Sequence, residues 1–286
     1  MKRVGIVPNL EKDIDFKVTK RIVNFLIQKG YTPLIEKRIT HETGLENFFC
    51  EEDKLCAMSD FLVVLGGDGT LLSVGRRTAK YKIPLLGINL GNLGFLTASE
   101  NHDAEEAIQK VLNQDYKLEK RLMLEASINT EKERTTGILA LNDICITRGV
   151  FSKMVQINVF INTEYVNTFR ADGMIISTPT GSTAYNLSAG GPILKPDTEI
   201  IAITPICPHT LHTRPIVVSA DDVVTVEVCT HTSGDFAISA DGQEGIALKS
   251  ENVVQVKRSK DYVTIIKTNN MGFYDILRQK LVRNGG

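Results

Sequence analysis

The sequence predicts an α/β N-terminal domain with a parallel sheet, then an all-β C-terminal domain of stacked sheets, and a last helix that packs back on the first domain. Three observations carry this. Up to Leu118, apolar runs of strand length alternate with stretches of helical spacing, the texture of βαβ units with ligands at the carboxyl ends of strands. After Leu118, period-two alternation takes over in short strands with little helix between them. At the end, Phe273, Ile276, Leu277 and Leu281 return to the helical period. The expected boundaries are 1–120 for the first domain, with 261–286 returning to it, and 121–260 for the second.

Taken in order, Arg3–Pro8 is a short strand that ends in a loop. Val18, Ile22, Phe25 and Leu26 share one helical face, and Gly30 stops that helix. Thr32–Glu36, Phe61–Leu65 and Ile83–Ile88 are strands, and Leu71–Lys80 begins a helix between the last two. Phe61-Leu-Val-Val-Leu65 is apolar throughout, as suits a strand covered on both faces. Asn89–Phe95 is a Gly/Asn-rich turn at a strand's carboxyl end, and Ala104–Leu112 is a helix. In the second region, Leu122–Ile128, Val155–Ile161, Val223–Cys229, Val253–Lys257 and Tyr262–Ile266 read as separate strands. Met174–Ser177 is a buried strand core, and Asn129–Gly137 is an exposed hairpin loop.

Composition narrows the function classes. A length of 286 residues leaves room for two cores. With 42% hydrophobic and 23% charged residues, the chain is ordinary globular protein. A net charge of −1 supplies no basic field for nucleic acid or an anionic membrane. Cys50, Cys56, Cys145, Cys207 and Cys229 are scattered without a C-x-x-C pair, which fits reduced thiols in a cytosol. No apolar run reaches the ~18 residues of a membrane span, and Val4–Val7 is too short for a signal-peptide core. The expectation is a soluble, cytoplasmic chain, with no nucleic acid and no membrane as partner.

Gly66-Gly67-Asp68-Gly69-Thr70 separates a buried strand from a helix start. Backbone N–H groups and the positive helix end attract phosphate there, and glycine lets the backbone approach a ligand. The stretch is neither a Walker A loop nor G-x-G-x-x-G. A bare phosphate cradle should avoid a carboxylate. Asp68 therefore does something else, by accepting a proton, holding a metal or hydrogen-bonding a sugar hydroxyl. Arg76, Arg77 and Lys80 could neutralise phosphate or simply be solvated. Thr178-Pro-Thr-Gly-Ser-Thr-Ala-Tyr-Asn-Leu-Ser188 packs hydroxyls and one tyrosine into a short span. It offers neutral donors and acceptors plus a ring for stacking, which suits a base and ribose, or it is a plain surface loop. Asn142-Asp143 is a turn, or a pair that grips a ribose diol. Asp241-Gly242-Gln243 reads first as a hairpin turn. His209 and His212 have no Cys or carboxylate to complete a zinc set, and Cys145 and Cys207 sit in apolar contexts that favour packing.

Together these stretches resemble the NAD kinase family, over nearly the whole chain and in the expected order. Gly66–Thr70 looks like the family's diphosphate loop, Asn142-Asp143 like its Asn–acid pair, and Asp241–Gln243 like its late turn. Asp172-Gly173 with Thr178–Tyr185 looks like its long Gly-rich signature, the most specific of the four. The resemblance implies NAD bound between the two domains and transfer of the ATP γ-phosphoryl to the 2′-hydroxyl of the adenosine ribose. It implies Asp68 as general base, Gly66, Gly67 and Thr70 as phosphate loop, and Asp68 and Gly69 in contact with the nucleotide. It further implies dinucleotide contacts from Asn142, Asp143, Asp172, Thr183, Ala184, Tyr185, Asn186, Leu187 and Ser188. Lys153 and Arg170 fall where the family has basic contacts, Gln243 near another contact, and Cys207 where a small residue lines the pocket. A divalent metal ion, magnesium, is implied without assigned protein ligands, as is a homo-oligomer, a dimer or a homotetramer. Asp143 stands where many members have Glu, and Ser73 where some have a basic residue. The Gly-Gly-Asp-Gly-Thr loop alone also occurs in lipid kinases, which predict an apolar cleft. A dinucleotide sensor without catalysis is the third reading.

Overall fold

The computed structural model describes residues 3–37, 43–91, 94–129, 134–149, 155–210, 212–229, 236–243, 245–248, 252–269 and 271–283. The chain divides into two compact units, Met1–Lys120 with Tyr262–Gly286, and Arg121–Asp261.

The first unit is a parallel sheet with helices. Its strands are β1 (Arg3–Val7), β2 (Thr32–Glu36), β3 (Phe49–Cys50), β4 (Phe61–Gly66), β5 (Leu85–Asn89) and β6 (Ser99–Glu100). They lie in the order β5-β4-β1-β2-β3, with β6 beside β5. Its helices are α1 (Lys17–Gln28), α2 (Glu52–Met58), α3 (Asp68–Thr78) and α4 (Ala104–Leu112). The apolar run 61–65 becomes β4, buried at every position, because parallel strands carry cover on both faces. Helix α1 buries Ile22, Val23 and Leu26. The Asp13 carboxylate accepts from the N–H groups of Val18 (2.8 Å) and Thr19 (2.9 Å), satisfying donors that a helix start leaves open. At its other end Tyr31 N–H reaches back to Leu26 O (2.9 Å) with Gly30 in the left-handed region, a Schellman-type stop.

The second unit is two antiparallel sheets. Its strands are β7 (Lys117–Asn129), β8 (Arg134–Ala140), β9 (Asp143–Arg148), β10 (Val155–Ile161), β11 (Glu164–Ala171) and β12 (Gly173–Ser177). A short helix α5 (Tyr185–Ser188) follows, then β13 (Ile200–Ile206), β14 (Ile216–Ser219), β15 (Val224–Cys229), β16 (Phe236–Ala240), β17 (Ile246–Leu248) and β18 (Val253–Lys267), whose residues from Tyr262 on belong to the first unit. One sheet runs β11-β10-β15-β18, with β7 on β18 and β8 on β7; the other runs β14-β13-β12-β9-β16-β17. Both contribute to one core, including Ile144, Ile146, Ile157, Met174, Ile176, Ile203, Val226, Phe236 and Val254. On β9 and β12 these core residues alternate with Asp143, Cys145, Gly173 and Ile175, so the second sheet has an outer face. Helix α6 (Phe273–Arg283) ends the chain in the first unit, where the Phe273 ring sits 6.0 Å from Phe95.

Three elements differ from the expected ones. Helix α3 starts at Asp68, not Leu71, because Leu71 N–H already bonds to Gly67 O (3.1 Å). The motif carboxylate therefore stands in the first helical turn. The expected strands 253–257 and 262–266 are one strand, β18. Its polar middle hid the continuity: Ser259 is buried, and Arg258 is held by Glu199 (2.8 Å) and Asp221 (3.3 Å). The segment from Arg134, expected as part of the 129–137 loop, is strand β8, paired with β7.

Candidate functional site

In the first unit the site is built at the carboxyl ends of β1 and β4, which are parallel neighbours. The N–H groups of Asp68, Gly69 and Thr70 precede the first intrahelical bond of α3, so they point out of the helix end. Gly66 takes φ +152°, where a side chain would strike Thr70. Asp68 is half-buried, and its carboxylate is held on both oxygens. Phe95 N–H donates to Oδ2 (2.8 Å) and Leu96 N–H to Oδ1 (3.1 Å). Gly94 must be glycine for this, since a Cβ there would collide with the same carboxylate. Each Asp68 oxygen keeps lone-pair capacity after accepting one bond.

Two residues here escaped the sequence reading. Asn9, just after β1, donates its amide to Thr70 Oγ1 (2.9 Å) and accepts the N–H of Lys12 (2.9 Å). The Lys12 ammonium lies 3.5 Å from where a Cβ on Gly67 would stand. Their position at the carboxyl end of a parallel strand was the available signal. Arg76, Arg77 and Lys80 stand farther along the chain from the loop. All three follow the start of α3 by two turns or more; Arg77 pairs with Glu36 (2.9 Å) and Glu52, and Lys80 pairs with Asp53 (3.7 Å).

In the second unit several candidate residues stand along the β13-β12-β9-β16 sheet, with Asp143 on its outer face. Asp143 starts β9 opposite Ser177, and Asp172 stands just before β12. The five steps from Ser177 back to Asp172, at ~3.3 Å each, set the two acids about 16 Å apart. Tyr185 is 45% exposed and electrostatically close to Cys145, Cys207, Asp143 and Asp172, so it stands over the same face. Burial pushes its phenol up from the usual value, with those groups adding to the push. Asp143 is buried, and burial pushes its carboxyl up to about 6. The Cys145 thiol, donating to Oδ1 (3.2 Å), opposes that shift, and Asp241 adds to it. Burial holds the Cys145 thiol far above its ordinary range, so it stays a neutral donor. The Arg148 guanidinium donates to Asp172 Oδ1 (2.7 Å), a partner that the sequence reading did not identify.

The 178–188 segment differs most from expectation. Its hydroxyls mainly bond inward: Thr178 donates to Leu141 O (2.6 Å), Ser182 to Pro179 O (2.7 Å) and Thr183 to Thr180 O (3.4 Å). Asn186 is fully buried; its amide donates to Pro192 O (3.0 Å) and Ser182 O (3.3 Å) and accepts from Thr204 Oγ1 (2.7 Å). Its side chain builds the turn rather than facing outward. Ala184 and Leu187 are half-buried, and Ser188 is exposed beside Tyr185. Cys207, expected to pack, is exposed at the end of β13 with φ +46°. Arg170 is exposed on β11 opposite Gln156, Gln243 is exposed after the β16 turn, and Lys153 lies outside the described residues. Among the described residues no group of three or more His, Cys, Asp or Glu could hold a metal. His209 and His212 thus join no such group.

Comparison with known proteins bears on this arrangement. The domain family described as ATP-NAD kinase N-terminal domain matches residues 4–116, and ATP-NAD kinase C-terminal domain matches residues 141–268. The chain is 46% identical to an NAD kinase of Caldanaerobacter subterraneus subsp. tengcongensis, over 98% of this chain and 99% of that one. It is 40% identical to an NAD kinase of Clostridium perfringens, over 99% of both. Among solved structures, it resembles an NAD kinase from Archaeoglobus fulgidus in complex with ATP, at 25% identity, a TM-score of 0.74 and full coverage of both chains. It shares its fold with yeast NADH kinase complexed with NADH, at 24% identity and a TM-score of 0.87, covering 100% of this chain and 89% of that one.

Proposed function

The chain belongs to the ATP-NAD kinase family, and on that premise we propose which of its residues carry the phosphorylation of NAD by ATP. The acceptor is the 2′-hydroxyl of the adenosine ribose, and the product is NADP. The N-terminal domain, 1–120 with 261–286, supplies the phosphate seat and the base; 121–260 supplies the dinucleotide grip.

The observation that carries this reading is the Asp68 carboxylate, oriented by Phe95 and Leu96 N–H in the first turn of a helix. A hydroxyl is a poor nucleophile until its proton leaves, and a carboxylate within hydrogen-bond reach takes that proton. The N–H groups at Gly66–Thr70 and the positive end of α3 stabilise phosphate charge, and Lys12 adds a cation beside Gly67. What remains of phosphoryl transfer is positioning and charge neutralisation.

Positioning falls to the second unit. Two acids about 16 Å apart along the strand direction of one sheet cannot both touch a small group. A ligand that meets both must be long, as a dinucleotide is. Asn142 and Asp143 take the ribose diol, Tyr185 offers its ring face, and Thr183, Ala184, Leu187 and Ser188 line the turn around it. Asp172, held by Arg148, Lys153, Arg170, Cys207 and Gln243 serve the rest of the dinucleotide.

Magnesium fits as a companion of ATP. No protein cage is available among the described residues, and magnesium is commonly held by substrate phosphates, water and one or two carboxylates. Bound that way, it would neutralise triphosphate charge. No helix among the described residues is long and apolar enough to cross a membrane. A cytoplasmic location and a dimer or homotetramer complete the proposal, on the family resemblance.

The test is an assay of purified protein with NAD, ATP and magnesium and an NADP-specific readout, repeated with NADH and polyphosphate. NADP formed in step with ATP consumption is expected. Binding of NAD without NADP would overturn the kinase reading in favour of a sensor.

A further inference from the structure

Asp241 has more contacts than a turn residue needs. Its carboxylate accepts from three successive backbone N–H groups: Leu141 to Oδ2 (3.0 Å), Asn142 to Oδ1 (2.7 Å) and Asp143 to Oδ1 (3.2 Å). Its own N–H donates to Asp143 O (3.0 Å). These bonds join the turn after β16 to the segment that opens β9, across about a hundred residues of sequence. From the opposite side, Thr178 fastens the same segment through Leu141 O (2.6 Å) and Asn142 O (2.8 Å).

The turn itself does not call for a carboxylate. Ala240–Gln243 is closed by Gln243 N–H to Ala240 O (3.1 Å), with Asp241 and Gly242 both at positive φ. Asn-Gly satisfies such a turn as well as Asp-Gly. Asparagine, however, has only one acceptor oxygen, and its NH2 would face a donor in place of the other. The acid is thus explained by what it holds. It also puts a negative charge beside buried Asp143, whose other titratable neighbours are Cys145 on the same strand and Tyr185 on α5.

We propose that Asp241 is a positioning residue for the Asn142–Asp143 pair, fixing both where the pair stands and the charge that Asp143 faces. This rests on the reading above that the pair grips NAD. Asp241 touches the backbone of the gripping residues and acts through them.

The experiment compares wild type with Asp241→Asn, which keeps the turn. KM for NAD should rise about tenfold, the loss of one charge-assisted hydrogen bond, with kcat and the KM for ATP nearly unchanged. Removing the charge should also move the acid limb of kcat/KM for NAD to lower pH, because Asp143 then ionises more readily. Amide exchange at 141–143 should speed up in the variant. Unchanged KM and an unmoved limb would overturn the proposal, as would parallel loss of kcat and of both KM values with a lower melting point. If wild type itself makes no NADP, the kinase reading fails instead. Amide exchange at 141–143 and calorimetric titration with NAD then still decide Asp241's part: slow exchange in the variant, or unaltered NAD affinity, would overturn it.

Discussion

Asp68 and Asp143 are the two carboxylates to which the proposal gives the central roles, and the protein treats them in opposite ways. Asp68 is half-exposed and receives a backbone N–H on each oxygen. Asp143 is 4% exposed, takes a bond from the Cys145 thiol, and faces the negative Asp241. One is held in a set orientation; the other is kept where its charge is costly. The lesson is that the donors around a carboxylate, more than the residue type, fix its use. An oriented anion suits proton acceptance, and a buried carboxyl awaiting hydroxyl partners suits a ligand grip.

The comparison can be broken at either acid. A large effect should come from Gly94→Ala. Its new Cβ would push into the Asp68 carboxylate, and a displacement near 1 Å at a catalytic group costs about a hundredfold in rate. Steady-state kinetics should show that loss in kcat, while calorimetry finds NAD affinity near wild type. A variant with normal kcat would mean that the fixed orientation of Asp68 is unimportant.

A smaller effect should appear at Asp143, in folding rather than rate. Its folded carboxyl is raised from 3.8 to about 6, so the native state binds that proton more tightly than the unfolded chain. Stability therefore falls as pH rises between those values, and the penalty is fully present above the upper one. Asp143→Asn carries no charge. It should be more stable than wild type at neutral pH by about 3 kcal/mol, with the gain vanishing toward acid. Denaturant unfolding at several pH values measures this. A gain that does not vary with pH would point to packing and away from the buried charge.

Much of this was legible in the sequence, for physical reasons. Strand β4 and helix α4 follow from apolar runs and helical spacing, which survive any tertiary context. The continuity of β18 was hidden because Arg258–Asp261 interrupts the apolar pattern and is stabilised by ion pairs with Glu199 and Asp221, distant in sequence. The motif residues were visible, but the direction of their bonds was not. A hydroxyl reads the same whether it faces a ligand or, like Ser182, a carbonyl in its own loop. Asn186 looked like a contact and is a buried brace. The Asp241 contacts and the Asn9–Thr70 bond join distant segments, so no local pattern announces them.

The measurement that bears most directly on the account is kcat and the NAD dissociation constant of Asp68→Asn, taken on one preparation. The amide can no longer accept the ribose proton as a carboxylate does. kcat should fall by at least about a hundredfold, while NAD binds as it does to wild type. Near-full NADP formation by this variant would contradict the assignment of Asp68 as base, and an equal loss of binding and rate would make it a ligand contact instead.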